Sequence, residues 1–267
     1  MIFLSNAFVR LNGFKEERCI TIFPGTNELA LETGMASASG VMLQPPVEGT
    51  VYGTLLNYKG EYESLQPKMG SKPYQSPPKA PILYIKPRNT VIGHNCDIPL
   101  PSDYEEVQIG AALGIVFGKT ASKIKKEEAL NFIKGYTIVN DVSIPHDSYY
   151  RPAIKQKARD GFCPVGPWII DAHSLADPNN VSITVTVNQE IRQQNHTSNL
   201  IRPVEQLLED VTEFMTLAEG DILLVGIPEN QPIARDGDMI EIEIEGIGTL
   251  QNYLLHKQPM GNKEAKG

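Results

Sequence analysis

Asp141 follows directly on the apolar run Gly135-Tyr-Thr-Ile-Val139, with only Asn140 between them. A carboxylate at the end of a strand, beside a loop, is well placed to ligate a metal or to act as a base. The competing use of the same residue is an Asx turn that merely closes the loop. Further on, residues 151–160 carry Arg151, Lys155, Lys157 and Arg159 against a single acid, Asp160. The whole chain holds 24 Lys+Arg against 32 Asp+Glu and is net −8, so this basic stretch stands out. It suits a small polyanion such as a di- or tricarboxylate; a solvated basic loop is the plainer alternative. Pro164-Val-Gly-Pro167 is stiff enough to hold such a loop in place.

The elements around these residues are mostly strands. Val51–Leu56, Pro81–Ile85 and residues 89–93 are short apolar runs, and residues 181–187 and 239–247 alternate apolar with polar side chains. Residues 110–119 are almost wholly apolar with Gly near both ends, as in a strand buried on both faces. Helical spacing appears at 125–132 and at 203–214, where Val204, Leu207, Leu208, Val211 and Phe214 share one face. Residues 66–80, with four Pro, read as a loop. About nine strands and two or three short helices predict an all-β or mixed α+β domain of coiled sheets; a doubly wound α/β sheet needs more helices.

The 267 residues fit one large domain, or one domain with an extension. Residues 1–47 read as an N-terminal extension or small strand-bearing subdomain, 48–256 as the main domain and 257–267 as a flexible tail. The acidic balance argues against nucleic acid. No run approaches 18 apolar residues, which argues against a membrane span. The first ten residues lack the pattern of a signal peptide. Cys19, Cys96 and Cys163 are odd in number and far apart, so neither a disulfide framework nor a structural zinc site is expected, and a reducing cytoplasm is.

Four stretches together resemble the fumarylacetoacetate hydrolase superfamily: Lys157-Ala-Arg-Asp-Gly-Phe-Cys-Pro-Val-Gly-Pro-Trp168, Gly135-Tyr-Thr-Ile-Val-Asn-Asp-Val-Ser143, Ile85-Lys-Pro-Arg-Asn-Thr90 and Gly220-Asp-Ile-Leu-Leu-Val-Gly-Ile-Pro228. Within it, Tyr150-Arg-Pro-Ala-Ile-Lys155 resembles the branch that isomerises and decarboxylates intermediates of 4-hydroxyphenylacetate (homoprotocatechuate) breakdown, and there the N-terminal half or first subunit. The resemblance implies a mixed α+β fold, a β-roll of coiled sheets with the site at its mouth, in homodimers or in heteromers with a paralogous subunit. It implies isomerisation of 2-hydroxyhepta-2,4-diene-1,7-dioate, or decarboxylation of the 5-carboxymethyl-2-oxo precursor that yields it. Lys157 and Asp160 become the catalytic candidates; Arg151, Arg159, Gly226, Ile227 and Pro228 the substrate contacts. Family members hold Mg²⁺, Mn²⁺ or Ca²⁺ through a Glu-x-Glu pair and an Asp. Here the Asp is Asp141, but Gly110 and Ala112 occupy the Glu positions, and Glu61 stands where a His is expected. That register implies a depleted metal site, and with it a second possibility: a catalytically weak structural subunit paired with a metal-binding paralogue.

Overall fold

The computed structural model describes residues 4–14, 16–72, 76–146 and 153–256. Among them, eighteen strands form three sheets, twice the strand tally expected from the sequence. The eleven-stranded sheet runs in the spatial order Gly34–Ser37, Glu28–Leu31, Arg18–Phe23, Ser5–Val9, Cys163–Asp171, Ile133–Asn140, Ala111–Phe117, Ile222–Leu224, Val51–Leu55, Ile82–Lys86, with Val91–Ile92 paired to Cys163–Asp171. Five strands make the second sheet: Glu190–His196, Ser182–Val187, Met239–Ile244, Gly248–His256 and Asp97–Leu100. Glu106–Gln108 and Ile233–Arg235 form the third. This is the mixed α+β architecture expected, with large sheets and few helices.

The apolar pattern explains the layering. Ser182–Val187 and Met239–Ile244 bury alternate residues, so each turns one face to the core and one to water. Ala111–Phe117 is buried at every position, since it lies inside the large sheet with cover on both faces. Its Leu113, Ile115 and Phe117 share one core with Ile183, Val185, Ile242 and Leu250 of the second sheet. The helix Val204–Thr212 buries Val204, Leu207, Leu208 and Val211 in that same core. Residues 126–132 form a 3₁₀ helix rather than an α-helix.

One stretch departs from its sequence reading, and two others are placed by the sheet pairing. Lys59–Met69 is an α-helix that runs into the expected 66–80 loop; Pro67 inside it and its sparse apolar face concealed it. Cys163–Asp171, which the sequence reading assigned to no element, is a nine-residue strand, because its two prolines leave enough backbone donors for its neighbours. The strands between residues 5 and 37 extend the large sheet. Ser5–Val9 pairs with Cys163–Asp171, placing Ala7 opposite Ile170, and Trp168 packs among Val9, Ile22 and Leu29. Among the described residues no helix is long and apolar enough to cross a membrane.

Candidate active site

Asp141 leaves the end of Ile133–Asn140 with its side chain fully buried. Two residues of the strand Ile82–Lys86 meet it. Tyr84 and Lys86 are two apart, so the pleat turns both to the same face. The Tyr84 hydroxyl donates to Asp141 Oδ2 at 2.5 Å, and Lys86 Nζ lies 2.8 Å from Oδ1. That second contact is an ion pair off the line of a hydrogen bond. Lys86 instead directs donors to the carbonyl oxygens of Val142 (3.0 Å) and Lys157 (2.8 Å). The short helix Ile154–Lys157 then brings the Lys157 ammonium onto Asp141 Oδ2 at 2.6 Å. Room for the Tyr84 ring comes from its strand neighbour Gly53, where a Cβ would lie 2.0 Å from the ring.

The electrostatics are those of one carboxylate between two ammonium groups. Burial by itself raises the Asp141 carboxyl; Lys157 and Lys86 outweigh it and hold the group well below the usual carboxylate range. Burial lowers the Lys86 ammonium, with Asp141 opposing. Burial and then the Asp141 charge raise the Tyr84 phenol, so it stays a donor.

A cavity of about 600 Å³ opens over this cluster. Lys157 and Tyr84 line it and Asp141 does not, so a ligand meets the ammonium and the phenol while the carboxylate stays behind them. Leu55, Ile82, Ile85, Ile154 and Ile227 make the apolar wall. Glu61 and Glu229 supply acids on the lining. Glu61 lies in the first turn of Lys59–Met69, is 7% exposed, and accepts the Leu56 N–H at Oε2 (2.9 Å). Burial pushes its carboxyl from the ordinary 4.5 up to about 8; the Leu56 N–H and Lys157 oppose this, and Glu229 and Asp141 add to it.

A carboxyl raised in the folded state stabilises the protein below its unfolded pKa and loses that contribution as pH rises through the folded value. Glu61→Gln is therefore expected to stabilise the protein increasingly between pH 4.5 and 8, by on the order of 3 kcal/mol at pH 7. Melting temperatures of both proteins across that range check it; a constant difference would show that Glu61 titrates normally.

Of the residues expected from sequence, the fold brings Asp141, Lys157 and Ile227 together. Asn57 pins the 226–228 segment, its Nδ2 donating to the Val225 carbonyl at 2.7 Å. Gly226 packs against that side chain at φ +129°, a conformation other residues rarely adopt. Asp160 and Arg159 do not line the cavity. Exposed Asp160 accepts from Asn89 Nδ2 at 2.8 Å, while Arg159 donates to the Lys155 carbonyl and stacks on Tyr104. Arg151 lies outside the described residues. Sequence reasoning missed Tyr84, Lys86 and Glu229. Their one local signal was a lysine ending an apolar strand.

The fold is that of a known family. Residues 50–255 match the family model "Fumarylacetoacetate (FAA) hydrolase C-terminal", and the chain belongs to that family. It is 37% identical over 219 residues to the 4-hydroxyphenylacetate degradation bifunctional isomerase/decarboxylase of Escherichia coli, covering 82% of this chain and 50% of the relative. Against the Salmonella dublin protein of the same name the identity is 40% over 209 residues, covering 78% and 48%. The chain thus spans about half the length of these curated relatives. Among solved structures, the 5-carboxymethyl-2-hydroxymuconate delta-isomerase of Mycobacterium smegmatis superposes with TM-score 0.72 at 32% identity, covering 96% of this chain and 99% of the other. The 2-hydroxyhepta-2,4-diene-1,7-dioate isomerase of Mycobacterium marinum gives 0.73 at 26%, covering 96% and 100%.

Proposed function

We propose that this chain isomerises or decarboxylates small unsaturated oxo-dicarboxylates or oxo-tricarboxylates of aromatic catabolism, and that it does so without a divalent cation at Asp141. The observation that carries this is the Lys157 ammonium on the cavity wall, held by a carboxylate buried behind it. Both reactions develop negative charge on the 2-oxo oxygen as an enolate. An ammonium fixed in a largely apolar cavity stabilises that charge. Asp141 positions Lys157 without touching the ligand, and Tyr84 offers a second donor beside it.

The residues around Asp141 do not suit Mg²⁺ or Mn²⁺. Hard cations take several oxygen ligands, usually with more than one carboxylate. Here both Asp141 oxygens already face ammonium groups, and Gly110 and Ala112 offer no donor. A Cβ at Gly110 would lie 2.6 Å from the Asp141 carbonyl oxygen, so the backbone leaves no space for a longer side chain. Ala112 packs among Val51, Val139 and Leu224. Among the described residues no three His, Cys, Asp or Glu side chains converge.

The test is turnover of 2-hydroxyhepta-2,4-diene-1,7-dioate by the purified chain, with and without chelator. Rates within twofold of each other are expected, with no heat of Mg²⁺ or Mn²⁺ binding by calorimetry. Loss of activity that added metal restores would overturn the metal-free reading. A second reading, a structural subunit serving a metal-binding paralogue, draws on one observation: the chain spans half of its curated relatives. Turnover that appears only on mixing with such a paralogue would favour it.

A further inference from the structure

Glu61 is a carboxyl that nothing in the lysine cluster uses. It faces the same cavity as Lys157, and Leu56 N–H claims Oε2, which leaves Oε1 to carry a proton. A second carboxyl stands beside it. Glu229 also lines the cavity; its Oε1 accepts from Asn195 Nδ2 at 3.1 Å, and its Oε2 is buried with no hydrogen-bond partner among the described residues. The close approach is built in. A Cβ at Gly60, the residue before Glu61, would lie 2.3 Å from the Glu229 carboxyl carbon, so a larger residue there would push the Glu229 carboxyl aside. The Tyr58 hydroxyl, buried and likewise unpartnered, feels both charges. Burial in this wall is the main reason the Glu61 carboxyl keeps its proton near neutral pH, and the Glu229 charge adds to it.

We infer that Glu61 is the proton-transfer residue of this cavity, that Glu229 positions it, and that its work is to move a proton between a carbon and an oxygen of a ligand whose 2-oxo or enol oxygen is held by Lys157. The inference rests on the function proposed above. With a 2-hydroxy-2,4-dienoate the steps balance. Glu61 gives its proton to C5, and the C4=C5 pair becomes the new C–H bond. The C2=C3 pair shifts to C3=C4. The enol O–H bond breaks, its pair becomes the C=O bond at Lys157, and its proton refills Glu61. Nothing is oxidised or reduced. Glu61 must start protonated, so turnover falls as pH rises through about 8. The charged groups facing Glu61 are Lys157, Glu229 and Asp141, and each shifts that midpoint; the Tyr58 hydroxyl beside them stays a neutral phenol.

The test follows kcat, KM and deuterium uptake from D₂O at C5 with 2-hydroxyhepta-2,4-diene-1,7-dioate from pH 5.5 to 9.5, for the full chain and for Glu61→Gln. The expected result is a kcat loss of roughly 10²–10³ in the variant, with KM within a fewfold of wild type, deuterium uptake lost in parallel, and the alkaline limb removed. A ¹³C titration of the wild-type Glu61 carboxyl, identified by its absence in the variant, is expected to turn near 8. Glu61→Asp should retain the limb with reduced kcat. Wild-type turnover that survives in Glu61→Gln within threefold, or a carboxyl titrating near 4.5, overturns the inference and leaves the proposed function standing. Absence of both turnover and exchange in the wild type overturns the two together. A folded variant is verified by its melting curve, and Glu229→Gln supplies the positioning control: an acid shift of the limb with a smaller kcat loss.

Discussion

Lys157→Ala is expected to lower kcat/KM on an unsaturated oxo-dicarboxylate by two to three orders of magnitude, about 3–4 kcal/mol of transition-state stabilisation. Lys157 is the one ammonium of the cluster that reaches the cavity, and no other cation on the described lining can replace it at Asp141. The fold should survive the change. The Lys157 side chain is 13% exposed, and without it Asp141 still meets Lys86 and Tyr84. A melting temperature close to wild type, together with the kinetic loss, separates a chemical role from a structural one. Lys157→Arg should recover little, because a planar fork does not place one donor on Asp141 and another on the ligand as the ammonium does. Unchanged turnover in Lys157→Ala would remove the lysine cluster from the reaction and leave the cavity's function to its acids.

Asp141→Asn carries the largest expected effect on stability. It removes the only carboxylate, among the described residues, between two ammonium groups, one of them, Lys86, with a fully buried side chain. Breaking a buried pair from one side typically costs about 3–5 kcal/mol, because the remaining charge keeps its desolvation penalty. Here two charges are stranded, so a fall of roughly 10 °C in melting temperature is expected for a chain of this size. Lys86→Met should cost less, since Asp141 then retains Lys157, and the double variant should be more stable than Asp141→Asn alone. The wild-type contribution depends on pH with a definite sign. The Asp141 carboxyl is held below its unfolded pKa, so its stabilisation is full above that value and fades as pH falls below it. Urea midpoints at pH 7 and pH 3 measure this. The gap between wild type and Asp141→Asn should narrow at the lower pH; a constant gap would mean that the carboxylate's charge is not what holds the lysines.

Much of the frame was legible from local pattern. The all-apolar run at Ala111–Phe117, the alternation at Ser182–Val187 and Met239–Ile244, and the one-sided helix Val204–Thr212 each announce burial through a period. Asp141 at a strand end was legible too, as was the absence of acids at residues 110 and 112. What failed locally has a local cause. Pro67 hid a helix, and the prolines at 164 and 167 left the strand Cys163–Asp171 unassigned, since proline's missing donor matters only where the neighbouring chain needs one.

The sequence by itself determined the family, the strand-rich class and the neutral side chains at Gly110 and Ala112, because these depend on residue type and short-range spacing. Only the tertiary structure decided which charges meet. Lys86 reaches Asp141 from 55 residues away, Glu229 comes to rest over Gly60, and Asp160 turns outward to Asn89. Those outcomes follow from strand pairing across the large sheet, and the protonation of a carboxyl follows from its burial and its neighbours, neither of which the residues beside it in the chain define.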